Sequence, residues 1–167
     1  CIRDRHRNIK SRYICLFGTS SVGKLQYIII HTPRTVNTIF GDTVSNLATL
    51  TTDNGGSTIA KADITTTGNQ TYNDEFVLNT SLTLTGGNAS FTDGIDGDGN
   101  DLTLNFTGNA TLDGGSTTIS GIKNLTSLGG IAVNGTIQTD GIHTFKGHGV
   151  LLGDTTLVGS AGVYNGT

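Results

Sequence analysis

The chain has 167 residues, with 25 Gly, one Pro, no Met and no Trp, and only 14% of its residues are charged. A net charge of −3 and abundant Thr, Val and Ile exclude a chain kept disordered by charge and lack of β-branched residues. Thr and Val favour strands, while Gly, Asn and Asp favour turns, so the composition calls for many short strands joined by tight turns.

The first 34 residues are compositionally separate. They hold seven basic residues (Arg3, Arg5, Arg7, Lys10, Arg12, Lys24 and Arg34) against one acid, Asp4, together with Cys1, Cys15 and Pro33. Residues 35–167 hold three Lys and twelve acids. A composition shift of this kind marks a boundary, and residues 1–34 are expected to stand outside the fold of residues 35–167. The chain opens on Cys1, as a fragment or a misplaced gene start would. Short apolar runs at 13–17 and 27–30 are interrupted by Lys24 and Gln26, which does not fit a signal peptide. No stretch reaches the roughly 20 apolar residues of a membrane-spanning helix. A basic arm can bind nucleic acid, but the acidic chain behind it has no recognition module, so no nucleic-acid partner is expected.

Gly18-Thr19-Ser20-Ser21-Val22-Gly23-Lys24 matches the start of a phosphate-cradling P-loop. The following position must be Ser or Thr to hold Mg²⁺, and here it is Leu25. No nucleotide site is assigned, and no cofactor is expected anywhere in the chain.

Beyond residue 35 apolar residues alternate with Thr, Ser or Asn over three to six positions before Gly, Asn or Asp intervenes. Ser81–Thr85, Asp101–Thr107 and Ile131–Val133 are examples. Period-2 alternation places Leu82 and Leu84 on one face and their Thr neighbours on the other. No window has helical periodicity. The region therefore reads as all-β.

It also repeats itself. Ile64–Tyr72 matches Ile137–Phe145, Val77-Leu78 matches Val150-Leu151, Thr83-Leu84 matches Thr156-Leu157, Gly86 matches Gly159, and Phe91 matches Tyr164. The offset is 73 throughout, so residues 64–94 correspond to 137–167, and the second copy stops inside the unit. The unit is too long for one supersecondary element and reads as three or four coils of a solenoid, the two copies sharing one stacking scheme. The expected fold is a right-handed parallel β-helix whose inward Leu, Ile, Val and Phe form ladders. A β-sandwich or up-and-down barrel is the second choice, since it too uses short strands.

Thr65–Asp74, Val77-Leu78, Leu82–Gly87, Ala89–Thr92 and Gly94–Leu104 together resemble the repeat region of filamentous-haemagglutinin-type exoproteins and autotransporter passenger adhesins. The resemblance covers residues 60–167. It implies a β-helical stalk, export through an outer membrane with the help of a translocator, a place at the cell surface, and adhesion to a glycan or protein of a host or neighbouring cell. The chain lacks the Asn-Pro-Asn motif of a two-partner secretion domain and a translocator barrel, so the resemblance implies a piece from the middle of a longer protein.

Candidate chemistry is sparse. Asp96-Gly97-Asp98-Gly99-Asn100-Asp101 resembles a calcium loop, but an EF-hand needs Gly at its sixth position and Glu at its twelfth; these are Asp101 and Thr107. His143 and His148 flank one strand and turn, with no third ligand beside them, while His6 and His31 lie in the basic segment. A β-helix can also be a polysaccharide lyase or hydrolase, which needs clustered carboxylates or basic residues on one face. Beyond residue 35 the bases are Lys61, Lys123 and Lys146, and Asp93, Asp96, Asp98, Asp113, Asp140 and Asp154 sit mainly in turns. No catalytic or metal residue is assigned. Asn88-Ala89-Ser90 and Asn109-Ala110-Thr111 match the glycosylation triplet, as an Asn- and Thr-rich chain will by chance. The function expected is a structural and adhesive stalk, with a carbohydrate-active enzyme as the alternative.

Overall fold

The computed structural model describes residues 13–19, 25–31 and 37–166, and its described elements are all strands. They stack in parallel as a β-solenoid, a β-helix of about six turns. The one antiparallel pair among them joins Tyr13–Thr19 to Leu25–His31. Parallel ladders rule out the β-sandwich, whose neighbouring strands would run antiparallel.

Each coil visits three faces. One coil runs from Gln70–Tyr72 on face one, through Glu75–Leu78 on face two, to Leu82–Gly86 on face three. It returns to face one at Ala89–Phe91, which pairs in register with Gln70–Tyr72. Face three is a separate sheet of seven strands, from Val44–Leu47 to Ala161–Tyr164. At about 4.8 Å per strand this stack is roughly 30 Å tall. Faces one and two merge because three strands, Asn109–Ile122, Gly130–Thr139 and Gly149–Val158, run through the corner between them.

Alternation produces this geometry directly. Leu82, Leu84 and Gly86 point inward and Thr83 and Thr85 outward. Stacking then turns positions into ladders, such as Ile64–Leu84–Leu104 on face three. Tyr72, Phe76 and Phe91 meet in the centre, with ring centroids 4.5, 4.9 and 5.5 Å apart. All three are fully buried. Such offset and edge contacts add about 0.5–1.5 kcal/mol per pair to the burial itself. The last coil is different. Leu151 stacks on buried Val133 and Tyr164 on buried Phe145, yet they remain 70% and 55% exposed.

Two findings refine the sequence reading. Hydrogen bonds cross the composition boundary near residue 35: Leu25–His31 pairs in parallel with Thr49–Thr52 on face one. The other finding concerns the 73-residue offset, which does not mark stacked positions. Ile64 lies on face three and Ile137 on face two; Phe91 lies on face one and Tyr164 on face three. Steps up face one, Leu50 to Gln70, Ala89, Ala110 and Ile131, are 20, 19, 21 and 21 residues. An offset of 73 is therefore about three and two-thirds coils. The two copies share a sequence but not a stacking scheme.

Candidate functional site

The repeat is instead a copied corner. Thr66 Oγ1 donates to Gly68 O at 2.8 Å, and Thr139 Oγ1 donates to Gly141 O at 3.2 Å. Gln70 Nε2 donates to Thr66 Oγ1 at 3.2 Å and to Ile64 O at 3.3 Å. In the second copy His143 takes the place of Gln70. Its Nε2 lies 3.4 Å from Thr139 Oγ1, and it bonds the backbone of Ile137. Because the Thr139 proton goes to Gly141, the ring proton is assigned to Nε2. Gly86 and Gly159 close over these corners. A Cβ on Gly86 would come within 2.6 Å of Thr66 Oγ1, and one on Gly159 within 2.7 Å of Thr139 Oγ1.

These corners are buried polar structures. Gln70 also donates to Thr85 O at 2.9 Å and accepts from the Tyr72 hydroxyl at 2.8 Å. Burial pushes the Tyr72 phenol well above its ordinary value, with the nearby Asp74 adding to it. His143 is 2% exposed, and desolvation lowers its pKa. Asp74 is 1% exposed. It accepts Thr52 Oγ1 at 2.6 Å and Thr58 Oγ1 at 2.8 Å. Burial raises its carboxyl above the ordinary range despite those donors, and the charge of Asp53 raises it further. A lone Asp among Thr carries no sequence signature; only stacking shows that Thr52 and Thr58 converge on it.

The other sequence candidates disperse. Gly18 and Thr19 end one strand and Leu25 begins its antiparallel partner, with Thr19 opposite Leu25. Positions 20–24 of the P-loop-like motif lie outside the described residues, as do His6 and most of residues 1–34. In the Asp96–Asp101 turn, Asp96 Oδ1 accepts the Asp98 amide at 3.0 Å and Asp101 Oδ1 accepts Asn124 Nδ2 at 2.8 Å. The structure thus commits carboxylates of this turn to its own backbone and to the next coil. His143 points into the core, whereas His148 is exposed. Among the described residues no three His, Cys, Asp or Glu side chains gather as metal ligands.

The outer surface carries ladders of its own. On face one Thr51, Thr71, Ser90 and Thr111 stack in consecutive coils. Two positions before the last three stand Asn69, Asn88 and Asn109. Asn69 Oδ1 accepts the Asn88 amide N–H at 3.2 Å and Asn88 Nδ2 at 3.1 Å; Asn88 Oδ1 accepts the Asn109 N–H at 2.9 Å. The Asn and hydroxyl rows flank an open groove of about 360 Å³. Face three carries a second hydroxyl row, Thr83, Thr103, Thr126 and Thr144. The sequence shows single Thr and Asn residues; the rows need partners 18 to 23 residues apart, and the unequal steps conceal them.

No family model matches the chain. No curated protein and no solved structure gives a match either.

Proposed function

We propose that this chain is a structural and adhesive stalk segment of a bacterial surface protein, exported through an outer membrane and not itself an enzyme. The observation that carries this reading is the unbroken parallel ladder of face three, which links seven strands along one axis. A shaft of this kind gains length by adding coils, each held by its neighbours. Its outer positions are free to vary because the core asks nothing of them. The resemblance of residues 60–167 to exoprotein and passenger repeats supports the same reading and supplies the cell-surface location. The partner is a glycan or protein of a host or neighbouring cell, and a translocator serves export.

The test has two arms. Antibody raised against the full chain should label intact cells of the source organism, and protease added outside those cells should remove the label. Beads coated with the full chain should adhere to target cells more than beads coated with an unrelated β-protein. Label that appears only after lysis, together with no adhesion above control, would overturn the proposal.

One observation favours the alternative of a carbohydrate-active enzyme. Asp74 has a raised pKa and feels the charge of Asp53, and perturbed carboxylate pairs are common in active sites. Against it, Asp74 is turned inward to two Thr hydroxyls. Release of reducing or unsaturated ends from polysaccharides by the full chain, abolished by Asp53→Asn, would favour the enzyme over the stalk.

A further inference from the structure

We infer that the groove on face one binds a neutral, extended glycan lying along the solenoid axis. This deepens the adhesive reading and rests on it. The groove spans three coils, between the amides of Asn69, Asn88 and Asn109 and the hydroxyls of Thr71, Ser90 and Thr111. No charged side chain lines it. The hydroxyls of Thr71, Ser90 and Thr111 are half-buried and have no hydrogen-bond partner among the described residues.

These features select the ligand by exclusion and by period. Nucleic acids and acidic polysaccharides are gripped through Lys and Arg, which the groove lacks. An apolar ligand would gain little from a trough walled by amides and hydroxyls. A peptide strand would need an open sheet edge, whereas here each strand is paired on both sides. The ligand that fits carries hydroxyls at regular intervals, holds no charge and stays straight. Donors and acceptors recur about every 4.8 Å along the axis, close to the length of one pyranose unit. A β-1,4-linked hexose chain has that form: one sugar spans about one coil, and because successive sugars are turned over, hydroxyls from its two edges meet the groove in alternate coils. Few hydrogen bonds and no aromatic platform give weak single-site binding, on the order of 1 mM. Many coils or many molecules on a surface then multiply it. The second copy of the repeat does not preserve this surface: Asn69, Asn88 and Ser90 correspond to Ile142, Ala161 and Val163, and only Thr71 keeps its counterpart, Thr144.

The test titrates the ¹⁵N-labelled full chain with cellohexaose, with coiled maltohexaose and charged hexagalacturonate as comparisons. Cellohexaose should shift amides within 69–111 on face one, saturably and independently of salt. The face-three amides of Leu102–Phe106 should stay unmoved. The combined variant Thr71→Val, Ser90→Ala and Thr111→Val should weaken binding at least tenfold with an unchanged circular dichroism spectrum, and Ser90→Ala alone should weaken it severalfold if the combined variant does not fold. No saturable shift with cellohexaose, tighter binding of hexagalacturonate, or equal affinity in the folded variants would overturn the inference. If bead adhesion persists in the same variants, the groove assignment alone falls. If adhesion is absent from the wild type as well, the adhesive reading falls with it.

Discussion

Buried polar side chains set the pH response of this molecule at the residue scale, and two of them pull in opposite directions. His143 has a folded pKa below its ordinary value, because burial disfavours the imidazolium. The unfolded chain therefore binds the proton more readily. The stabilising contribution is complete above the ordinary His value, about 6.5, and is lost as pH falls through that value. His143→Gln installs the side chain found at the equivalent corner. Thermal melts should show wild type losing stability relative to His143→Gln between pH 7 and 5; parallel curves would refute the assignment. Asp74 behaves inversely. Its folded pKa is raised, so its contribution is complete below the ordinary carboxylate value and is lost as pH rises above it. Asp74→Asn should therefore match or exceed wild type at pH 7, and the advantage should shrink on acidification toward pH 4. A large loss at pH 7 would show that the charged carboxylate is what the two Thr hydroxyls require. Gln70→Ala leaves the Tyr72 hydroxyl and Thr85 carbonyl without their partner, which should cost about 1–3 kcal/mol in denaturant unfolding.

At the scale of elements the corner is the unit that recurs. Gly86 stacks against Phe106 and sits over Thr66 and Gly68. A methyl group there meets the Gly68 carbonyl at 2.7 Å, and backbone cannot turn aside as a flexible side chain would. Gly86→Ala should cost about 1–3 kcal/mol, the range for an overpacked core. Gly41 has nothing within 4 Å of its Cβ direction, so Gly41→Ala should be near neutral; equal losses for the two would contradict the corner account. Strands were legible in the sequence because alternation has a period of two and needs only a few residues. Leu82-Thr83-Leu84 announces its two faces unaided. The solenoid was legible too, and the 73-residue unit read as three or four coils; which positions stack was not, because steps between stacked partners vary: Thr58 to Phe76 is 18 residues, while Ile95 to Ile119 is 24. Gln70 and His143 share a role with different side chains, and a match between them shows only when Thr66, Gly68 and Gly86 are aligned with Thr139, Gly141 and Gly159. The ladder from Leu25–His31 to Thr49–Thr52 escaped composition altogether, since charge reports on surface and not on strand pairing. The groove was invisible for a related reason: its lining comes from three coils.

For the whole molecule, stability depends on position along the axis. In a stack of nearest-neighbour contacts each interior coil is held from two sides. Gly149–Val158 is held from one side among the described strands, and its inward Leu151 is bare. In the isolated 167-residue chain opening should begin there. Native-state hydrogen exchange should find the amides of Gly149–Val158 less protected than those of Asn109–Ile122, with the difference declining smoothly across Gly130–Thr139. Uniform protection over all three would mean that the solenoid opens only as one cooperative body.

The copied corner has a geometric consequence. A segment of three and two-thirds coils, set after itself, advances along the shaft and also rotates by one side of a triangular prism. Side three passes to side two, two to one, and one to three. A feature carried by such a copy would not recur in a straight file; it would wind about the shaft as a screw, and three successive copies would bring it back to its original azimuth. A rod grown in these increments would present any inherited contact on each of its sides in turn, so a neighbour approaching from any direction would meet it.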